Sequence, residues 1–121
     1  MVNNFYRYLN IMSENISQQR IKYLEKLEKD HPDDPFYPYG LALEYMDNEP
    51  AIARKYLEKV LDKFPDYLPA YYQAAMLLAQ NGETKDAFKI CSKGIVLATK
   101  LNDTKTVNEL KFLNDEIQDL C

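Results

Sequence analysis

Cysteine, glycine and histidine are scarce in this sequence. Two cysteines, Cys91 and Cys121, are too few for the disulfide framework of a small secreted domain. Cys91 falls within a helical pattern of apolar residues, so we expect a buried free thiol. With 3 glycines, 46% hydrophobic residues and 28% charged residues, the 121-residue chain is typical of one folded soluble domain.

Long apolar runs and clusters of positive charge are also missing. No apolar run approaches the ~18 residues that a membrane-spanning helix requires. The first residues lack the layout of a secretory signal, because Asn3, Asn4 and Arg7 interrupt any apolar segment. The net charge is −4 and lysines alternate with glutamates, which argues against a nucleic-acid surface. We therefore expect a cytoplasmic protein that binds neither nucleic acid nor a membrane.

A repeated string reveals a period in the chain. Lys-Tyr-Leu-Glu-Lys occurs at 22–26 and again at 55–59, and a Pro-Asp pair follows each copy at the same distance. The two prolines of these pairs, Pro32 and Pro65, are 33 residues apart. A fixed period of this size predicts a repeat solenoid, and solenoids usually serve as binding surfaces.

Prolines and turn residues divide the chain into helices. Pro35, Pro50 and Pro69 stand where a helix can begin, because the N–H group at that position has no helical partner. Asn-Gly at 81–82 and Asn-Asp at 102–103 indicate turns. Between these marks apolar residues recur with helical spacing, and no segment alternates with the period of a strand. The predicted helices, joined by short connections that make neighbours antiparallel, span about 16–30, 36–47, 50–63, 69–81, 84–101 and 104–119.

Residues 1–15 allow two interpretations. Phe5, Tyr8, Leu9 and Met12 fall on one face of a helix. Such a short helix is marginal alone and needs a surface to pack on. The other interpretation takes Met12 as the true start and residues 1–11 as a tail. We therefore predict an N-terminal arm or a short helix at 1–15, followed by a helical domain at 16–121.

The spacing of apolar and small residues repeats between two units of the chain. The second unit has Tyr71, Ala74, Ala75, Leu78, Ala87 and Cys91, and the first has Pro38, Leu41, Ala42, Tyr45, Ala53, Leu57 and Pro65. This pattern resembles the tetratricopeptide repeat (TPR), a helix–turn–helix unit of 34 residues. The resemblance covers about residues 17–119. It implies an all-α, TPR-like α-solenoid with two full repeats, a leading half-repeat and a C-terminal capping helix.

Small residues stand where the helices of a hairpin are expected to cross. Ala42, Ala53, Ala75 and Ala87 occupy these crossing positions, where a larger side chain would push the backbones apart. Gly94 stands where a small residue would admit the next helix. A glycine within a helix costs about 1 kcal/mol relative to alanine, so close packing is the favoured reason for a glycine at position 94.

The two ends of the pattern depart from it. Arg20 takes the place of the small residue in the leading half-repeat, which is understandable if no complete partner helix crosses there. The last predicted helix also lacks a small residue at the crossing position. It carries one apolar stripe on an otherwise polar helix, as the cap of a solenoid requires; the stripe is Val107, Leu110, Leu113, Ile117 and Leu120.

The sequence contains no convincing catalytic or metal-binding set. The single histidine, His31, lies near Asp33 and Asp34, which raises the hypothesis of a metal site. Flanking prolines place these residues in a turn, and Asp34 is better explained as a helix N-cap. There is no nucleophile paired with a base and no glycine-rich phosphate loop. We therefore predict no enzyme activity, no metal and no cofactor.

The resemblance also implies where a partner would bind. In TPR arrays the first helix of each unit lines a concave groove, and the register then assigns to the groove Tyr39, Leu43, Met46, Tyr72, Gln73 and Met76. TPR domains that hold the carboxylates of chaperone tails use lysines and asparagines in this groove, and those are absent here. An apolar groove rich in Tyr and Met suits a hydrophobic peptide or an amphipathic helix.

Two functions follow from this assignment. The resemblance implies a protein–protein interaction module, a scaffold or adaptor. The alternative is a structural homo-oligomer, for example a homodimer, that uses the same face or the N-terminal arm.

Overall fold

The computed structural model of the chain describes residues 2–120, with side chains from residue 4 onward. Met1 and Cys121 lie outside the described residues. The six helices of the described part are α1 Val2–Asp30, α2 Phe36–Tyr45, α3 Pro50–Lys63, α4 Pro69–Gln80, α5 Thr84–Lys100 and α6 Thr104–Asp119. The described residues form no strand. The predicted all-α, TPR-like solenoid of six helices is thus confirmed.

Local sequence signals explain where the helices begin. Pro50 and Pro69 occupy the first turns of α3 and α4, as their positions predict. The Asp34 carboxylate accepts a hydrogen bond of 2.9 Å from the Phe36 N–H at the start of α2. Asp103 caps α6 by accepting bonds from the Thr106 N–H and hydroxyl, and these bonds lower the pKa of the Asp103 carboxyl.

The first helix is longer than predicted. It begins at Val2 instead of near residue 16 and continues without a break to Asp30. No proline or glycine occurs between these ends, so no local signal stops the helix. Every described side chain from 4 to 16 is exposed, and burial begins at Ser17. The division into an arm at 1–15 and a domain at 16–121 stays a prediction.

The helices form two layers. In the outer layer, a salt bridge of 2.8 Å between Glu28 and Lys59 joins α1 to α3, and Arg54 of α3 pairs with Glu83 just before α5. In the inner layer, the rings of Tyr39 on α2 and Tyr67 just before α4 meet edge to face at 5.3 Å, and α4 contacts α6. Hairpins α2–α3 and α4–α5 therefore alternate between an inner layer of α2, α4 and α6 and an outer layer of α1, α3 and α5.

Alanines allow the helices of each hairpin to approach closely. Ala42 and Ala53 share one buried cluster, Ala75 and Ala87 share another, and all four are fully buried. The predicted crossing positions are therefore confirmed. Cys91 is also fully buried as a free thiol, as predicted, and burial raises the pKa of this thiol to about 11.

Gly94 forms a notch that receives the last helix. A Cβ atom at this position would lie 2.9 Å from Leu110 Cδ1 of α6 and 2.9 Å from Tyr71 Cβ of α4. Tyr71 is itself held in place, because its hydroxyl donates a 2.6 Å hydrogen bond to the Pro65 carbonyl. The prediction that a small residue here admits the next helix is confirmed.

The apolar stripe of α6 is buried only in part. Leu110 and Ile117 are buried, while Val107 and Leu113 are half-buried. Leu120 was expected on the same stripe, but it is 69% exposed. The reason is that α6 ends at Asp119, so Leu120 lies beyond the last residue that the helix holds against α5.

One carboxylate on α2 links this helix to α1. Glu44 accepts hydrogen bonds of 2.6 and 3.2 Å from the Arg20 guanidinium and one of 3.1 Å from the Ser17 hydroxyl. These bonds hold the pKa of the Glu44 carboxyl below its ordinary value of 4.5. The folded state therefore favours the charged carboxylate more strongly than the unfolded state does.

We expect Glu44→Gln to lower the free energy of unfolding at pH 7 by no more than about 1 kcal/mol, because Arg20 is largely solvent-exposed. The difference from the wild type should be complete above pH 4.5 and disappear as the pH falls through the depressed pKa of the folded state. Urea unfolding of both proteins from pH 7 to pH 3 checks this. Arg20→Gln should behave alike, and a difference that does not shrink as the pH falls from 7 to 3 would contradict the assignment.

Candidate functional site

A shallow depression crosses all three helices of the inner layer, and we call it the inner groove. It is lined by Tyr39 of α2, by Thr106 and Glu109 of α6, by Asp103 just before α6, and by Leu68, Pro69, Tyr72 and Gln73 at the start of α4. The groove thus draws on the first helices of both repeats and on the capping helix.

Three of the six predicted site residues meet in this groove. Tyr39 comes from the first repeat, whereas Tyr72 and Gln73 come from the second, and all three are half-buried. Their convergence places an aromatic and amide surface across the boundary between the two repeats.

The other three predicted residues do not line the groove. Leu43 and Met76 lie about one turn further along α2 and α4, and Met46 directly follows the end of α2. Leu43 is 43% exposed, whereas Met46 and Met76 are half-buried and Met46 packs against the core of the first hairpin. The assignment of all six residues to partner binding stays a prediction.

Neighbouring side chains hold Tyr39 in place. Its ring contacts Tyr67, and the Gln73 side chain lies beside its hydroxyl. Burial raises the pKa of the Tyr39 hydroxyl, and the Gln73 side chain offsets part of this rise. A tyrosine held by such contacts loses little further conformational freedom when a partner covers it.

The charged side chains of the groove lining are Asp103, just before α6, and Glu109 on α6, and neither is among the residues that the sequence assigns to the groove. Asp103 is engaged in capping α6, so Glu109 is the exposed carboxylate. No lysine or arginine lines the groove. The available signal was the position of α6 after the α4–α5 hairpin, which makes it the third helix of the inner layer.

A second cavity lies between α3, α4 and α5, with a volume of about 230 Å³. It is lined by Leu57, Leu77 and Ile90 among other apolar residues, and its charged rim carries both signs. Small-molecule sites usually enclose roughly 300–1,000 Å³. This cavity is better explained as a packing gap, because Ala74 stands where the first repeat has the larger Leu41.

The residues around His31 have structural roles. His31 is exposed, its ring lies 5.6 Å from the ring of Tyr37, and Asp34 accepts a hydrogen bond from the first N–H group of α2. Among residues 2–120, no three His, Cys, Asp or Glu side chains are grouped to hold a metal ion. In the same range, no helix has the length and apolar character to cross a bilayer. The absence of enzyme activity, metal and cofactor stays a prediction.

Several solved protein structures are similar to this chain. No protein-family model matches the sequence, and no relative is found among curated proteins. A tetratricopeptide repeat domain protein from Salinibacter ruber is similar in two structures. Its solution NMR structure has 28% identity and a TM-score of 0.70, and the match covers 74% of this chain and 92% of that one. Its crystal structure has 30% identity and a TM-score of 0.68, with 73% and 100% covered.

Two more distant structures share the fold. The TPR2B domain of yeast Sti1, in its pHsp70 complex, has 15% identity and a TM-score of 0.80, with 91% of this chain and 89% of that one covered. The MamA protein has 21% identity and a TM-score of 0.62, with 89% and 62% covered. At these identities the likeness supports the architecture alone.

Proposed function

Because the chain belongs to the tetratricopeptide repeat family, we propose that it is a protein–protein interaction module whose inner groove binds a peptide or helix of a partner. The observation that carries this proposal is the convergence of Tyr39, Tyr72 and Gln73 from two repeats on one partly exposed surface. Tyrosines bury a large apolar area at a low entropic cost and are enriched where proteins meet.

The lining of the groove defines the chemistry of the partner. The two tyrosine rings offer an apolar floor, and Gln73 adds an amide that can donate and accept hydrogen bonds. Glu109 places a negative charge at the edge formed by α6. We therefore propose an apolar peptide or amphipathic helix that carries a lysine or arginine beside its apolar residues.

A partner that presents a carboxylate does not fit this lining. With no cation in the groove, nothing neutralises such a group, and Glu109 would repel it. The pHsp70 complex of the Sti1 domain is therefore a guide to the architecture, and we do not transfer its partner to this chain. We propose an adaptor or scaffold role in the cytoplasm, without catalysis.

Self-association is a second candidate function. One observation favours it: six apolar side chains between Phe5 and Met12 on α1 are between 42% and 61% exposed. This surface is separate from the inner groove, so the two functions are compatible and can be tested independently.

The substitution Tyr72→Ala is expected to weaken partner binding at least about tenfold, because buried tyrosines often dominate binding energy. The wild-type and variant chains serve as baits for affinity purification from the source cells, and retained proteins are quantified by mass spectrometry. Proteins that depend on the groove should be lost selectively with the variant.

Val96→Ala is the matched control, because Val96 is 69% exposed on α5 and does not line the groove. Circular dichroism is used to check that both variants keep the wild-type helix content. Glu109→Lys tests the charge, and it should repel a basic partner while leaving the fold intact. A folded Tyr72→Ala variant that retains the same proteins in the same amounts would show that the groove assignment is wrong.

A further inference from the structure

The first half of α1 carries an apolar stripe that nothing in the structure covers. Phe5, Leu9, Met12 and Ile16 are 61%, 44%, 42% and 47% exposed, and we call these four residues the seam. They are separated by four, three and four positions, the alternating spacing of a coiled-coil interface. Tyr23, seven positions after Ile16, continues the same face and is 64% exposed.

Charges are kept away from the seam. Between residues 2 and 19 the charged residues are Arg7 and Glu14, and helical geometry puts both on the opposite side of α1. Tyr6 and Tyr8 flank the seam instead. A second copy of the same surface therefore meets no like charge when it approaches.

The seam also lies on a part of α1 that has no support. The residues before Ser17 extend the helix by roughly 22 Å at 1.5 Å per residue, and every described side chain among them from residue 4 is exposed. A helix of this length is marginal alone in water, and most helical stability in proteins comes from packing an apolar face. The structure of α1 therefore calls for a covering surface.

We propose that two copies of the chain associate through the seam as an antiparallel helix pair about a two-fold axis. In one register, Leu9 lies opposite Met12 of the second copy, and Phe5 lies opposite Ile16. A single alignment of the two antiparallel helices brings both pairs together, because the two residue numbers in each pair add up to the same value. All four positions of the seam then face an apolar residue, as a self-complementary two-fold interface requires.

The exposed area is sufficient for a dimer of modest affinity. The seam with Tyr6 and Tyr8 exposes on the order of 600 Å² per copy, since a large apolar side chain carries roughly 150–250 Å². Complete coverage of this area in both copies would bury about 1,200 Å², the lower end of the range for specific interfaces, so the burial is at most of that size.

The C-terminal helix α6 of a second copy is not a suitable partner for the exposed part of α1. The buried pairs Leu41–Ala42 and Ala74–Ala75 mark the crossing positions of α2 and α4, and the corresponding pair on α6 is Leu110–Lys111. If α6 of another copy completed a hairpin with α1, Lys111 would approach Arg20 at the crossing. Two long side chains there, where the hairpins within the chain have alanines, oppose the close helix crossing that open-ended stacking needs, so the seam is left to pair with another seam.

This inference rests on the second candidate function, self-association, and is independent of the inner groove. Analytical ultracentrifugation of the full chain at about 100 µM, a concentration suited to a small interface, should give about twice the 14.2 kDa chain mass. Leu9→Glu should raise the dissociation constant by about 100-fold or more, because each dimer would bury two glutamates. Ile11→Glu is the matched control, since Ile11 is 51% exposed but lies off the seam, and this variant should still dimerise.

Cross-linking tests the orientation. In a Cys121→Ser background, Leu9→Cys chains are mixed with Met12→Cys chains under mild oxidation. The antiparallel register predicts mixed dimers in excess of self-linked ones, whereas a parallel pair would favour self-linked dimers and overturn the orientation. A monomeric wild-type chain at the highest concentration would overturn self-association as well. If the Leu9→Glu variant still dimerised with an unchanged circular dichroism spectrum, self-association would stand but its assignment to the seam would be wrong.

Discussion

Replacing Leu110 with alanine is expected to lower the free energy of unfolding by about 2–5 kcal/mol. Leu110 is fully buried on α6, and one of its methyl groups lies against the notch at Gly94. The substitution removes the apolar contact and leaves a cavity, because Gly94 has no side chain that could fill it. Urea unfolding followed by circular dichroism measures the loss.

Phe112→Ala is the control on the same helix. Phe112 is a larger side chain, but it is 67% exposed, so its loss should change the free energy of unfolding by less than about 0.5 kcal/mol. The comparison separates burial from residue size. If both substitutions had the same effect, Leu110 would not be the side chain that anchors the capping helix.

Gly94→Ala is expected to lower the free energy of unfolding by about 1–3 kcal/mol, which is the usual cost of forcing atoms into a filled core. The added methyl group would lie 2.9 Å from Leu110 Cδ1 and 2.9 Å from Tyr71 Cβ. Leu110 has rotamers that could move away, but Tyr71 Cβ is fixed to the backbone of α4. The two helices must therefore separate slightly to accept the methyl group.

Gly40→Ala gives the opposite expectation. A Cβ atom there would be 3.5 Å from the Leu24 methyl groups, an ordinary contact distance. Alanine is the better helix former by about 1 kcal/mol, so this substitution should stabilise the protein. Helix propensity alone predicts a gain at both glycines, and only packing predicts opposite signs. A stabilised Gly94→Ala protein would show that the notch accepts a methyl group.

A double-mutant cycle links the two substitutions on α5 and α6. In the Leu110→Ala background one of the two close contacts of the added methyl group is gone, so Gly94→Ala should cost less there than in the wild type. The contact with Tyr71 remains, so part of the cost should persist. Additive effects would mean that Leu110 and Gly94 do not share the notch.

The sequence predicts the helices of this protein well where prolines or capping residues mark the helix ends. Pro50 and Pro69 stand at the starts of α3 and α4. Asp34 accepts a hydrogen bond from the first N–H group of α2, but the N-cap position itself is Pro35, one residue later than predicted. The start of α1 was missed for the converse reason, because residues 2–30 contain no helix-breaking residue. The sequence leaves the segment before Ser17 open between a helix and a tail, because this segment has no packing partner within one chain and local patterns carry no information about partners.

The inner groove was predictable only in part. The repeat register correctly brings Tyr39, Tyr72 and Gln73 together, because equivalent positions of successive repeats lie side by side. It does not indicate how far the depression extends, which depends on the crossing of α4 and α6. For the same reason Glu109 was missed, since α6 has no second helix that would identify it as part of a repeat.

The position of α6 also links partner binding to the local stability of the chain. This helix closes the hydrophobic core through Leu110 and forms one wall of the inner groove through Glu109. In a repeat array, a terminal helix opens more readily than the units between its neighbours. A partner that contacts Glu109 would therefore suppress the fraying of α6, and a change that frays α6 would reduce the partner's apparent affinity in proportion to the fraction of chains in which α6 stays closed.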